Sequence, residues 1–356
     1  MRKLICILVF MQLFAISCEE IYRPEMETVS GQLVVDARIT NDLSKNYVHL
    51  SRTRHFYDDQ PVKQVSGATV NLIEMGGTVI RGYESATGYY SFNSVPEIGK
   101  RYFLRIIINN VTYESHAVTM PPVPALSDFD TRHIVTTVNE NSGESTPRTY
   151  QRPGREVHAD IALTDALSYY RLNIRSLLQW TLSYPDRPSL FPVSYGWYSF
   201  ENREQFHLVG PKNKTGPGIV TDHQLLILNY NPFNPTAADT MHVKGWIIFV
   251  ELYGMSKESY DFHSQLNSQF AATGSLFDPI QTQVYGNIIC KSNPLEKVYG
   301  YFNLNSYRQY RYFVLLNLPP ALSTYHEIFT YPVIPDNGEV FGRDGDPPLK
   351  PDWWEE

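Results

Sequence analysis

The stretch Arg101-Tyr-Phe-Leu-Arg-Ile-Ile-Ile108, Asn109-Asn110, Val111-Thr-Tyr-Glu-Ser-His-Ala-Val-Thr-Met120 decides the fold class. Aliphatic and aromatic residues that suit a pleated, half-buried surface flank two asparagines. Asparagine tolerates the left-handed backbone that a tight hairpin turn needs, so the stretch predicts an antiparallel hairpin. The same pattern extends toward the N-terminus. Gln32-Leu-Val-Val-Asp-Ala-Arg-Ile-Thr40 and Asn46-Tyr-Val-His-Leu-Ser-Arg-Thr53 are strand-like, the second with the period-two alternation of a strand that buries one face. Ala68-Thr-Val-Asn-Leu-Ile73 is closed by Gly76-Gly77, and Thr87-Gly88 turns into Tyr89-Tyr-Ser-Phe92. Short strands at regular spacing predict a β-sandwich over residues 31–124. Met120-Pro-Pro-Val-Pro124 ends it, because proline cannot donate to a ladder and stiffens a connection.

Beyond that boundary the expectation is a larger antiparallel β domain over 125–334. Thr131 to Val138 and Glu156 to Leu163 read as strands around a polar loop from Asn139 to Gly154. Tyr169 to Leu178, Leu225 to Leu228 and Met241 to Tyr253 continue the pattern, with an irregular stretch from Ser183 to Gly218 between them. The period then changes. Ser256 is a suitable N-cap, Glu258 and Asp261 suit the helix dipole, and Phe262, Leu266 and Phe270 share one face. These predict one short helix over 256–272. Strands resume at Gln281 to Cys290, Val298 to Asn303 and Arg311 to Leu318, and residues 335–356 read as a polar tail. The fold class is therefore mainly β with one short α-helix.

The composition agrees. The chain has 356 residues, 42% hydrophobic and 19% charged, which is enough apolar material to bury a core. Its 25 Tyr and 18 Phe favour strands. A formal charge of −7 leaves no basic excess for phosphate neutralisation, which argues against a nucleic-acid partner.

The N-terminus reads as an address. Arg2 and Lys3 precede the apolar run Leu4 to Ile16. As a helix that run spans about 20 Å, short of a ~30 Å hydrocarbon core, so a secretory signal peptide over 1–17 fits better than a membrane span. It ends Ala15-Ile-Ser-Cys18, which resembles a bacterial lipobox, in which the cysteine is acylated and becomes the first mature residue. Cys18 is thus the expected lipidation site and residues 18–30 a lipid-proximal tether. Cleavage would remove Cys6 and acylation would use Cys18, leaving Cys290 in an apolar strand, where a buried inert thiol is the expectation. No Cys-x-x-Cys occurs.

Val65-Ser-Gly-Ala-Thr-Val-Asn-Leu72, Thr87-Gly-Tyr-Tyr-Ser-Phe92 and Gly99-Lys-Arg-Tyr-Phe-Leu-Arg105 resemble a carboxypeptidase-regulatory or transthyretin-type module. The resemblance implies that the first domain is an immunoglobulin/transthyretin-like sandwich. Leu252-Tyr-Gly-Met-Ser-Lys-Glu-Ser-Tyr-Asp-Phe262, Pro279 to Ile288, Tyr299-Gly-Tyr-Phe302 and Lys350-Pro-Asp-Trp-Trp354 add to it. Together the set resembles a large family of Bacteroidetes outer-membrane lipoproteins classed as a domain of unknown function and often associated with TonB-dependent receptors. The chain departs from that pattern at Lys291-Ser-Asn-Pro-Leu-Glu296, where members commonly carry a Gly-rich run. The family implies an outer-membrane, lipid-anchored protein, surface-exposed or periplasm-facing, with a receptor or another envelope protein as partner. It supplies no catalytic residues. The expected function is accessory binding or assembly without catalysis; a structural adaptor in envelope assembly is the alternative, and a hydrolase with an unrecognised site the remote one.

Sequence motifs offer little chemistry. Glu156, His158 and Asp160 alternate onto one strand face within reach of one cation, yet no fourth ligand follows, so a solvated edge face is the expectation. Arg343-Asp344-Gly-Asp346 lacks the further acidic ligands of a calcium loop, and Gly210-Pro-Lys-Asn-Lys-Thr-Gly216 lacks phosphate-loop spacing. No metal site and no cofactor are expected. The aromatics of the Trp180 to Phe200 stretch, chiefly Trp180, Tyr195, Trp197 and Tyr198, either cap the core or anchor a sugar or protein partner. Trp353 and Trp354 either fold back or insert into a partner. All six are candidate binding aromatics.

Overall fold

Two stretches that lie far apart in the chain complete one sheet. The computed structural model describes residues 31–54, 58, 60–140, 148–183, 194–201, 206–229, 240–271, 284–315 and 339–343. The first stretch supplies β1 (Leu33–Ile39), β2 (Tyr47–Arg52), β3 (Thr69–Glu74), β4 (Val79–Ala86), β5 (Tyr89–Phe92), β6 (Arg101–Ile108), β7 (Val111–Ser115) and β8 (Val118–Thr119). The expected hairpin is β6–β7, and Asn109 and Asn110 take φ of 47° and 64° at its turn. The following elements are β9 (Leu126–Glu140), β10 (Arg148–Ala162), β11 (Tyr170–Ser183), β12 (Ser194–Glu201), β13 (His207–Val209), β14 (Ile219–Asn229), β15 (Thr240–Gly254), α1 (Lys257–Phe270), β16 (Ile288–Cys290), β17 (Tyr299–Leu304), β18 (Ser306–Leu315) and β19 (Glu339–Arg343).

The first sheet has ten strands in the order β16-β7-β6-β3-β4-β5-β2-β1-β17, with β8 beside β6. β17 pairs parallel to β1, Val35 opposite Gly300, and β16 pairs antiparallel to β7. Its two ends approach each other, so the sheet nearly closes into a barrel. The alternating pattern of β1 and β6 puts Leu33, Val35, Ala37, Ile39, Tyr102, Leu104 and Ile106 inside. They share one core with Ile288, Phe302 and Leu304 from the distant stretch. Each such Val, Leu, Ile or Phe side chain contributes roughly 1.5–3 kcal/mol on burial. The sequence reading placed 288–304 in the second domain; the structure places it in this sheet, where it covers core that residues 31–124 leave open.

Two further sheets, β14-β10-β9 and β18-β15-β11-β12-β19 with β13 beside β11, pack around a second core of Val157, Ile161, Leu172, Ile174, Val220, Leu228, Ile248, Val250 and Leu252. Here three expectations change. The described residues of the polar loop over 139–154 are strand, with Thr149 opposite Asn139 and Pro153 opposite Val135. β-branched residues and an edge position suit pairing even without an apolar face. The irregular stretch 183–218 contains β12 and β13, because pairing to β11 supplies hydrogen bonds that local propensity does not reveal. The polar tail contributes β19, paired with β12.

α1 starts where Ser256 Oγ accepts from the Ser259 amide at 3.2 Å. Its buried residues are Ser259, Tyr260 and His263, whereas Phe270 is 62% exposed. The helix is thus seated by polar and aromatic contacts: Ser259 Oγ donates to Asn303 Oδ1 at 2.8 Å and Phe262 stacks on Tyr301 at 4.3 Å. Among the described residues no helix is long and apolar enough to cross a membrane.

Candidate functional site

Glu156, His158 and Asp160 do come together, and their polar atoms are engaged. His158 is 7% exposed. Its Nδ1 lies 3.1 Å from the Asp222 carbonyl and its Nε2 3.3 Å from Glu156 Oε2. Glu156 Oε1 accepts from Gln224 Nε2 at 3.3 Å, and Asp160 Oδ1 accepts from the Asp222 amide at 2.7 Å. Asp222 holds a left-handed φ of 56°, and β10 shifts register against both neighbours here. That bulge turns the three side chains toward β14. Arg132 donates to both Asp222 oxygens and holds that carboxyl below its ordinary range. The arrangement clasps β9, β10 and β14 together. Among the described residues no group of three His, Cys, Asp or Glu is placed to hold a metal.

Beside it, His207 Nε2 on β13 lies 2.7 Å from His223 Nε2 on β14, so one ring donates to the other between two sheets. Burial, then the neighbouring His223, pushes His207 down to about 4. Burial and His158 lower His223 likewise. Nothing in the isolated sequence positions pairs these two residues.

The most distinctive chemistry lies where the two cores' sheets meet. Cross-strand pairing sets Arg38 beside Tyr47 on β1–β2. On β11–β15–β18 it sets Arg171 beside Tyr253 and Tyr253 beside Tyr307. These outward faces oppose each other. The Arg38 guanidinium lies 5.0 Å from the Tyr47 ring and 5.7 Å from the Tyr253 ring. The Arg171 guanidinium lies 4.6 Å from Phe206 and 5.9 Å from the same Tyr253 ring. Among the described residues the Arg171 guanidinium makes no hydrogen bond, and the carboxylate whose charge acts on it, Asp36, is exposed. Burial, with Arg38 as a nearby like charge, lowers its pKa. Burial, then Asp36, pushes Tyr47 up to about 12.

A second polar centre flanks the arginines. Glu251 takes Lys45, Asn173 Nδ2 at 3.0 Å, and the Tyr253 and Tyr307 hydroxyls at 3.2 Å each. Burial alone would raise its carboxyl; Lys45 and Asn173 outweigh that and hold it low. Asn41 locks the same junction, donating to the Tyr307 carbonyl at 3.1 Å and accepting from the Tyr307 amide at 2.6 Å.

The other sequence candidates fall as follows. Trp180 lies on β11 opposite Gly196, and Trp197 on β12 between Gln179 and Val340. Tyr195 and Tyr198 are on β12 as well, so these four are strand positions rather than loop positions. Cys18, Trp353, Trp354 and the acidic pair Asp344 and Asp346 lie outside the described residues. Gly210 to Gly216 holds a short turn in which Asn213 Oδ1 accepts from the Gly210 amide at 3.0 Å, not an anion. Cys290 is buried in the first core, its thiol pushed up by burial. The sequence missed Arg38 and Arg171 because each occupies the polar phase of an alternating strand, which reads as solvated surface.

A match to the family described as Domain of unknown function (DUF4249) spans residues 19–311. The chain belongs to the DUF4249 family. The DUF4249 match begins at the residue after Cys18 and runs through both β units and the arginine–aromatic junction. Comparison with curated proteins and with solved structures finds no match.

Proposed function

We propose that this DUF4249 protein is a non-catalytic, lipid-anchored component of the outer membrane, binding or assembling beside a TonB-dependent receptor. The observation that carries the reading is the sequence before Cys18, a basic start followed by the apolar run Leu4 to Ile16, with the family match starting at Glu19. A short apolar run with a basic start suits export, and acyl chains at ~0.8 kcal/mol per methylene give stable anchoring. The His158 ring is tied into the fold, with its nitrogens against the Asp222 carbonyl and Glu156 Oε2. The aromatics Trp180, Tyr195, Trp197, Tyr198, Trp353 and Trp354 are the proposed partner contacts.

Affinity capture of the native lipoprotein from solubilised envelopes tests the reading. Co-purification of a receptor barrel in stoichiometric amount is the expected result. Recovery of envelope-assembly factors alone would favour the structural-adaptor alternative.

A further inference from the structure

We propose that Arg38 and Arg171, which converge on the Tyr253 ring, bind a small molecule bearing a carboxylate, with the two guanidinium groups as the anion clamp and Tyr47 and Phe206 as the flanking aromatic rings. The assignment goes beyond the envelope reading and does not depend on the lipid anchor.

The argument starts from Arg171. A guanidinium presents five donors, and buried donors in folded proteins are almost always paired. Arg171 is half-buried at the junction, yet its contacts are the faces of Phe206 and Tyr253. Rings attract the charge from above but leave the in-plane donors free. A second cation, Arg38, approaches the same Tyr253 ring with one side-chain bond, from Nε to the Lys45 carbonyl at 3.2 Å. Two like charges brought to one ring repel each other, and an anion placed between them relieves that repulsion.

Among the described residues neither nearby carboxylate is hydrogen-bonded to either guanidinium. Glu251 serves Lys45, Asn173 and two tyrosines. Asp36 is exposed, and its Oδ2 accepts from the Tyr47 hydroxyl at 3.0 Å. The planar guanidinium fork matches a carboxylate bidentately, and the aromatic walls favour a flat apolar body attached to it.

The test uses the full-length protein in detergent, titrated with benzoate, neutral benzamide and inorganic phosphate while melting temperature and heat of binding are followed. Benzoate is expected to bind saturably, and benzamide on the order of tenfold more weakly. Arg38→Met and Arg171→Met each lose on the order of tenfold in benzoate affinity. Arg171→Lys keeps the charge but loses the fork, so it also binds more weakly. Without ligand, Arg171→Met melts no lower than the parent chain, because a half-buried cation facing the like charge of Arg38 is removed; a purely structural cation–π role predicts a lower melt. Benzoate binding unchanged in both Met variants would overturn the proposal. Binding of phosphate but not benzoate would overturn the carboxylate assignment. Should Arg171→Met fail to fold, Arg38→Met decides the matter alone. Cys18→Ser leaves benzoate binding unchanged, so the outcome separates from that of the anchor.

Discussion

Asn287 and Phe302 are joined through both polar groups of one residue's backbone. The Asn287 Nδ2 donates to the Phe302 carbonyl at 2.9 Å, and the Phe302 amide donates to Asn287 Oδ1 at 2.8 Å. The Asn287 carbonyl in turn accepts from the His116 amide at 2.8 Å. One side chain thus stands in for a missing strand between β7–β16 and β17. It joins the two ends of the nearly closed ten-stranded sheet.

Asn287→Ala leaves a buried amide and a buried carbonyl unpaired, at about 1–3 kcal/mol each. A loss of about 2–4 kcal/mol is expected, read as a lower urea midpoint with unchanged slope. Leu72→Ala, which creates a cavity away from the closure, serves as a comparison of known type at ~2–5 kcal/mol.

Gly300→Ala is expected to prevent folding. Gly300 holds φ of 89°, and an added Cβ would sit 1.9 Å from the Val35 carbonyl oxygen in the parallel β1–β17 pair. No rotamer relieves a clash between backbone and Cβ. Soluble yield and near-ultraviolet dichroism of the variant check this. Gly216→Ala, where an added Cβ meets only Ile219 at 3.4 Å, is the control that folds.

A fragment of residues 31–124 is expected to be poorly folded by itself. It lacks β16, β17 and Asn287, so β1 loses a paired edge and Leu33 and Val35 lose cover from Phe302 and Leu304. Amide spectra of the fragment show the difference: narrow dispersion is expected, and sharp, well-dispersed signals would contradict the shared-sheet account.

These last two expectations mark the limit of what the sequence discloses. The β6–β7 hairpin is legible because Asn109 and Asn110 carry their turn chemistry locally, and the helix start is legible because Ser256 is its own cap. Alternation reveals which residues of β1 face inward, but not that Tyr299 pairs with Val34 across the length of the chain. The candidate site fails for the same reason. Arg38 and Arg171 sit at polar strand positions, and only the meeting of two sheet faces brings both to Tyr253. Glu156 and His158 were legible as neighbours because they lie on one strand; that Asp222 and Arg132 complete their network was not.

Stability is expected to fall as pH drops from about 6.5 toward 4. His207 and His263 are both held near pKa 4 by burial, so the unfolded chain binds protons that the folded chain refuses. Their stabilising contribution is complete above the unfolded value and lost as pH falls toward the folded one. At 1.36 kcal/mol per pKa unit, His207 alone contributes roughly 3 kcal/mol across this window. Asp222 and Glu251, whose pKa values are depressed, lose their contribution only at still lower pH. Melting temperatures across pH 4.5–6.5 check this; His207→Gln should flatten the curve, and an equally steep curve in that variant would assign the effect elsewhere.

The anchoring claim has one direct measurement: metabolic labelling with an alkyne fatty acid, comparing the parent chain with Cys18→Ser. The account predicts strong label and membrane retention in the parent, with both lost in the variant. Undiminished label on Cys18→Ser, or a parent chain recovered unlabelled in the soluble fraction, would contradict it.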